Sequence, residues 1–181
     1  MSFPFPHAKP RKLGYAPAEV DEFISKARQA YNFGSDGTEL GIRKSEFNLV
    51  KGGYSVTAVD VALDRLEDSF ARRQYERIVE RSGVEALHER ANQIRIVLVG
   101  RIERPKRKRF DNTGFILRGY SRKQVDAFLD SVSNHIDNRA DLPVDDVRKM
   151  IFTPKRGGYA ENQVDAFIDA VIELLQIEKV L

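Results

Sequence analysis

Cysteine and tryptophan are both absent from this chain, and methionine occurs only twice. Without cysteine there is no disulfide, no thiolate metal ligand and no cysteine nucleophile, a usage that fits a cytosolic protein. Long apolar runs are missing too. The most apolar stretch, Ile94 to Val99, is interrupted by Arg95 and is too short to span a bilayer. The opening M-S-F-P-F-P-H-A-K-P holds no continuous apolar segment, so no secretory signal is expected. Histidine is scarce as well: His7, His88 and His135 stand apart, with no spacing suited to a shared metal. The pairs Gly52-Gly53 and Gly157-Gly158 lack the G-x-x-x-x-G-K-S/T pattern of a phosphate loop. Asp145-Asp146, and Asp64 with Asp68, read as carboxylates on exposed helix faces. No catalytic residue, metal or cofactor is expected, and nothing in the sequence supports an enzyme.

What the chain does have is enough apolar material for a core. It counts 181 residues, 41% of them hydrophobic, which suits one domain or two small ones. Net charge is only +3, yet its distribution is uneven. Five of the six residues Arg104-Pro105-Lys106-Arg107-Lys108-Arg109 are basic, and Lys9, Arg11 and Lys12 form a smaller group. The bland reading of the longer run is a solvated linker. The sharper ones are contact with an anionic membrane surface or with nucleic acid.

The dominant feature is a repeat. Gly158-Tyr159 followed by Val164-Asp165 recurs as Gly14-Tyr15 with Val20-Asp21, Gly53-Tyr54 with Val59-Asp60, and Gly119-Tyr120 with Val125-Asp126. Tyr15 to Tyr54 and Tyr120 to Tyr159 are both 39 residues; Tyr15 to Tyr120 and Tyr54 to Tyr159 are both 105. The chain is a pair of pairs. The longer shift also carries Phe5 onto Phe110, Phe23 onto Phe128 and Phe47 onto Phe152.

Each copy reads as a loop feeding a helix. The glycine permits a positive φ or a close backbone approach. Helix-start signals follow: Ser55, the capping-box pair Ser121 and Gln124, and Pro17 in a first turn. Apolar residues then recur at helical spacing: Val164, Phe167, Ile168, Val171 and Leu175 in the last copy, and Val125, Phe128, Leu129, Val132 and Ile136 in the third. The first copy has Val20, Phe23, Ile24, Ala27 and Tyr31. In the second, Ala62 stands where the others carry phenylalanine, which predicts something bulkier opposite it. The recurrent aspartates read as helix-start or loop-bracing residues and the tyrosines as packing residues, not as chemistry.

The expected architecture is all-α, a helical repeat protein made of two tandem halves, each with two loop-plus-helix motifs and room for pseudo-two-fold symmetry. Residues 1–81 form a first repeat pair with motifs at 14–31 and 42–81. Residues 82–109 form a connecting helix and basic linker, and 110–181 a second pair with motifs at 119–138 and 142–179. Within this scheme, helices are expected over 17–31, 39–47 and up to about 81. A further helix, with Val84, Leu87, Ala91, Ile94, Val97 and Leu98 as its stripe, reaches about 102, with Ser82 capping its start. The last stretches are a helix to about 138, a short one opening at Pro143, and one from 161 to 179. No strand is expected beyond a weak alternation at Ile94 to Val99.

The motif resembles the N-terminal domain of DivIVA, the polar-localisation and division scaffold of Gram-positive bacteria. Leu142, Asp146-Val147, Phe152, Gly158-Tyr159, Val164 and Phe167-Ile168 match its order and spacing; Ile42, Phe47, Gly53-Tyr54, Val59-Asp60 and Leu63 match in the second copy. The other two copies match from Gly-Tyr onward, and the whole is similar to actinobacterial proteins that repeat the domain. The resemblance implies membrane association without a spanning helix, through a phenylalanine and an arginine at the loop tip just before Gly-Tyr. By position those tip sites are Lys12-Leu13, Lys51-Gly52, Leu117-Arg118 and Arg156-Gly157, with Lys155 alongside. None places phenylalanine there, and only Leu117-Arg118 keeps the apolar-basic order. These 181 residues carry no sustained heptads of the kind that form the family's long coiled coil. In DivIVA the loop region forms by crossing two chains, an arrangement that duplication could reproduce within one chain.

The functional expectation is a non-enzymatic scaffold or adaptor in cell division or polar growth, cytoplasmic or peripheral at the inner face of the membrane. It would dock to the membrane surface or to divisome proteins through the motif tips and Arg104, Lys106, Arg107, Lys108 and Arg109. The alternatives are a soluble protein-protein interaction module without membrane binding and, behind it, nucleic-acid binding through the basic linker; a homo-oligomer is a further expected partner state.

Overall fold

The computed structural model describes residues 5–35, 37, 40–42 and 45–181. It is mostly helical, and its contacts divide the chain into two compact units, Met1–Arg77 and Ile78–Leu181.

In the first unit β1 (Leu13–Tyr15) leads into α1 (Pro17–Asn32), and β2 (Leu49–Lys51) leads into α2 (Val56–Ser82), whose last turn, from Ile78, belongs to the second unit. The two strands pair antiparallel, with Leu13 opposite Lys51 and Tyr15 opposite Leu49. These strands correct the strand-free expectation. At three residues each they are too short to show alternation, and what holds them is exchange between motifs: Tyr15 N–H donates to Tyr54 O at 2.9 Å, and Tyr54 N–H to Tyr15 O at 2.8 Å. Below the strands, Val20, Ile24 and Ala27 of α1 share one core with Val59, Leu63 and Phe70 of α2, Ile42 and Tyr54. Glu39, Arg43 and Lys44 of the expected 39–47 helix lie outside the described residues; Leu40–Ile42 make a tight 3₁₀ turn, and residues 45–47 are not helical.

The second unit has α3 (Val84–Ile102), β3 (Arg118–Tyr120), α4 (Arg122–Ile136), α5 (Val144–Arg148), β4 (Pro154–Arg156) and α6 (Glu161–Glu178). β3 pairs antiparallel with β4, Arg118 opposite Arg156 and Gly119 opposite Lys155. Tyr120 and Tyr159 again exchange backbone hydrogen bonds, at 3.0 and 2.9 Å. Val125 and Val164, like Val20 and Val59, are wholly buried. Each such side chain stabilises the fold by roughly 1.5–3 kcal/mol.

The motif glycines are needed for close approach. A Cβ on Gly119 would overlap the Tyr159 carbonyl oxygen, and one on Gly158 the Gly119 carbonyl oxygen; Gly14 and Gly53 stand in the same relation to Tyr54 and Tyr15. The positive φ falls one residue earlier, at Gly52 (68°) and Gly157 (64°), which turn the chain out of β2 and β4.

Several local expectations are revised. Ser121 makes no side-chain cap: its backbone carbonyl accepts from Gln124 N–H at 3.0 Å, while Gln124 Oε1 accepts from Thr153 N–H at 2.8 Å and fastens the helix start to the segment before β4. Glu19 treats Asn48 in the same way, at 2.8 Å. Gly83, not Ser82, is the N-cap of α3. The alternation at Ile94 to Val99 lies inside α3, where Leu87, Ala91, Ile94 and Leu98 point inward while Val84 and Val97 face solvent. α4 stops at Ile136, two residues before Asn138 enters the left-handed region at φ 55°.

Candidate functional site

The loop before β3 is the most exposed apolar feature of the second unit. Gly114, at φ 75°, reverses the chain, and Thr113 closes the turn by donating its hydroxyl to Leu117 O at 3.1 Å and its N–H to Gly158 O at 3.0 Å. With the backbone held from within, the side chains between are turned outward. Phe115 is 96% exposed, Ile116 90% and Leu117 65%. Arg118 follows on β3, and Lys155 and Arg156 stand opposite on β4, all exposed. Three adjacent apolar side chains therefore project beside three cations, at the edge of a two-stranded sheet.

Such an arrangement is unfavourable in water unless something covers it. Its composition suits an interface that is apolar within and anionic at the rim. The first unit carries a more basic version. Lys12 and Leu13 lie across from Lys51, and Leu13, Leu49 and Val50 are exposed. Its loop has Pro10, Arg11 and Lys12 where the other has Phe115, Ile116 and Leu117.

The basic run behaves differently from a solvated linker. Arg109 is buried: its Nη1 donates to Asp126 O at 2.9 Å and its Nη2 to Asp130 Oδ1 at 3.0 Å. Lys106 Nζ lies 2.7 Å from Asp130 Oδ2, and Arg107 N–H donates to Asp126 Oδ2 at 2.9 Å. The run is thus folded onto α4, and Arg109 is removed from the contact residues expected there. Arg104, Arg107 and Lys108 remain exposed.

The aspartates and tyrosines of the motif brace one another across motifs. Tyr159 donates its hydroxyl to Asp126 at 2.9 Å, and Tyr54 to Asp21 at 3.2 Å. Tyr15 faces Asp60 and Tyr120 faces Asp165; burial, reinforced by these carboxylates, raises both phenols above their ordinary range. Tyr159 is pushed up to about 12, chiefly by burial. Phe23 packs edge-on against Phe47 at 5.7 Å, and Phe128 against Phe167 at 6.1 Å, so these rings belong to the interior. The tyrosines, aspartates and phenylalanines of the motif hold the loops in place.

Sequence reasoning reached Leu117, Arg118, Lys155 and Arg156 but missed Phe115 and Ile116, because it looked for phenylalanine only in the position next to the arginine. The signal was present as three consecutive apolar residues after Thr113-Gly114 and immediately before Arg118-Gly119-Tyr120. Among the described residues no helix is long and apolar enough to cross a membrane. Comparison with family models, with curated proteins and with solved structures returned no match.

Proposed function

We propose that this chain is a non-enzymatic scaffold or adaptor of the DivIVA type, acting in bacterial cell division or polar growth and docking peripherally on an anionic membrane through the 113–118 loop. The observation that carries the reading is the exposed Phe115-Ile116-Leu117 wedge with Arg118, Lys155 and Arg156 beside it. The wedge supplies apolar contact at the interface, and each cation adds about 1 kcal/mol near an anionic surface. Phenylalanine is present at the tip after all, two residues before the position the family pattern predicts. The reciprocal pairing of Tyr15 with Tyr54, and of Tyr120 with Tyr159, supports a second element of the proposal: each unit uses two motifs of one chain, about a local pseudo-two-fold axis, in place of two crossed chains.

Nucleic-acid binding through residues 104–109 is disfavoured by the burial of Arg109 and the pairing of Lys106. Liposome co-sedimentation tests the membrane reading. Anionic vesicles should pellet the wild type, and replacing Phe115, Ile116 and Leu117 together by serine should release it. Replacing Arg104, Lys106, Arg107 and Lys108 by glutamine should leave sedimentation largely intact. A wild type that stays in the supernatant at moderate salt, or a triple variant that pellets equally well, would sink the proposal.

A further inference from the structure

The helix α3 carries no copy of the Gly-Tyr motif. It lies across α4 and α6, pressing Leu87, Ala91, Ile94 and Leu98 inward. Two ion pairs clip it in place, Arg90 to Glu173 at 2.7 Å and Arg95 to Glu178 at 2.6 Å. The first unit has no such helix among its described residues, and its groove between α1 and α2, beside Ala62, is open.

The outer side of α3 is apolar as well. From Ile94 to Val99 only Arg95 interrupts the apolar run, and because a helix turns every 3.6 residues, such a run must show itself on both sides. Ile96 is 63% exposed and Val97 67%. A helix with one partner keeps polar residues on its outer side, whereas one that is apolar all round is covered all round. The same outer side carries Glu89 and Gln93 towards the N-terminus and, just past the C-terminal end, Arg104, all exposed. Gln93 Nε2 donates to Glu89 Oε1 at 3.1 Å, which holds the carboxylate on this side.

The order of charges identifies the occupant. Glu89 lies seven residues before Ile96, and Arg104 lies seven after Val97. Each is therefore about 10 Å along the axis from the middle of the patch. A second copy of α3 laid antiparallel, with Ile96 of one chain against Val97 of the other, brings Glu89 of each chain to the partner's Arg104. A parallel copy would oppose Glu89 to Glu89. Burial, and after it the like charge of Arg104, lowers the Arg101 guanidinium from its ordinary range, so a carboxylate arriving at this end relieves crowding. Glu85, Glu89 and Glu103, all exposed on or beside this side, count against an anionic membrane as its cover.

We propose that the outer side of α3 pairs with the same side of a second copy of this chain, antiparallel about Ile96 and Val97, with Glu89 and Arg104 matched across the two-fold axis. The inference is independent of the membrane reading, since it uses a different element. A pair of chains would carry two 113–118 loops on one particle.

Sedimentation equilibrium of the full chain, from micromolar to hundreds of micromolar, should show a reversible shift from one chain mass to two. Glu89→Arg and Arg104→Glu, both at exposed positions, should each weaken the pair roughly tenfold or more. Mixing the two variants should restore it, since each new charge then meets its opposite. Orientation is read with thiols: the chain has no cysteine, so a single one introduced can be joined only to that of a second copy. A short bismaleimide should cross-link Ile96→Cys and not Glu89→Cys, whose two thiols would stand roughly 20 Å apart along the axis. Circular dichroism confirms that each variant is folded. A chain that stays monomeric across this range overturns the proposal, as do single charge variants that pair like the wild type or folded ones that fail to pair on mixing. Cross-linking of Glu89→Cys as efficient as that of Ile96→Cys overturns it too. Loss of vesicle sedimentation in Ile96→Ser, from a chain that stays monomeric, would assign this side of α3 to lipid instead.

Discussion

The Tyr159 hydroxyl donates to Asp126 at 2.9 Å, joining two motifs of the second unit across 33 residues of sequence. The same carboxylate accepts from Arg107 N–H, and the Tyr159 oxygen accepts from Arg109 N–H at 3.2 Å. One buried aspartate therefore ties the loop after α3 to the starts of both motif helices.

Removing that carboxylate should cost more than one hydrogen bond. Asp126→Ala leaves the Tyr159 hydroxyl and the Arg107 N–H without an acceptor and takes away a neighbouring charge from buried Arg109. The expected loss is about 3–5 kcal/mol, against roughly 1.5–3 kcal/mol for Tyr159→Phe. Urea unfolding followed by circular dichroism measures both. Equal and small effects would show that the network adds little.

Alkaline pH should weaken the second unit. The Tyr159 phenol titrates at about 12 in the fold against 10 in the unfolded chain. Its contribution is therefore complete below pH 10 and is lost as pH rises towards 12. Tyr15 and Tyr120 are raised in the same direction. Melting temperatures measured from pH 9 to 12 should fall, and less steeply in Tyr159→Phe than in the wild type.

The glycines at the strand crossings should tolerate no side chain. Gly119→Ala and Gly158→Ala each place a Cβ against backbone, which cannot move aside without breaking the strand pair. A destabilisation of more than about 2 kcal/mol is expected. Gly100→Ala is the control: its Cβ meets nothing within 4 Å on α3, and it should stabilise by roughly 0.5–1 kcal/mol.

Vesicle binding should separate into an apolar and an electrostatic part. Phe115→Ser lowers affinity at every salt concentration, whereas Arg118→Gln with Arg156→Gln mainly flattens the salt dependence, because exposed charges are screened. Titrations in 50 and 300 mM salt distinguish them. If the arginine pair changed affinity equally at both salts, the electrostatic assignment would fail.

Much of the architecture was readable because it depends on local pattern. The four Gly-Tyr motifs, their 39- and 105-residue offsets and the helical stripes behind Val20, Val59, Val125 and Val164 are periodicities, and periodicity survives in a one-dimensional string. The mostly helical class and most helix boundaries followed. So did the structural role of the aspartates, since a carboxylate near a helix start is more often braced than reactive.

Long-range pairing settled the rest. Three-residue strands carry no readable alternation, and they exist because a second motif supplies their partners at a distance of tens of residues. Arg109 looked like one cation in a solvated run, and only Asp126 and Asp130 approaching from α4 make its burial tolerable. Phe115 and Ile116 are apolar residues that composition would assign to a core, but the turn at Gly114 sends them outward. Ala62 and Phe167 occupy equivalent places in the repeat, yet one opens a groove and the other lies beneath a helix, because burial is fixed by what packs against a residue and not by the residue itself.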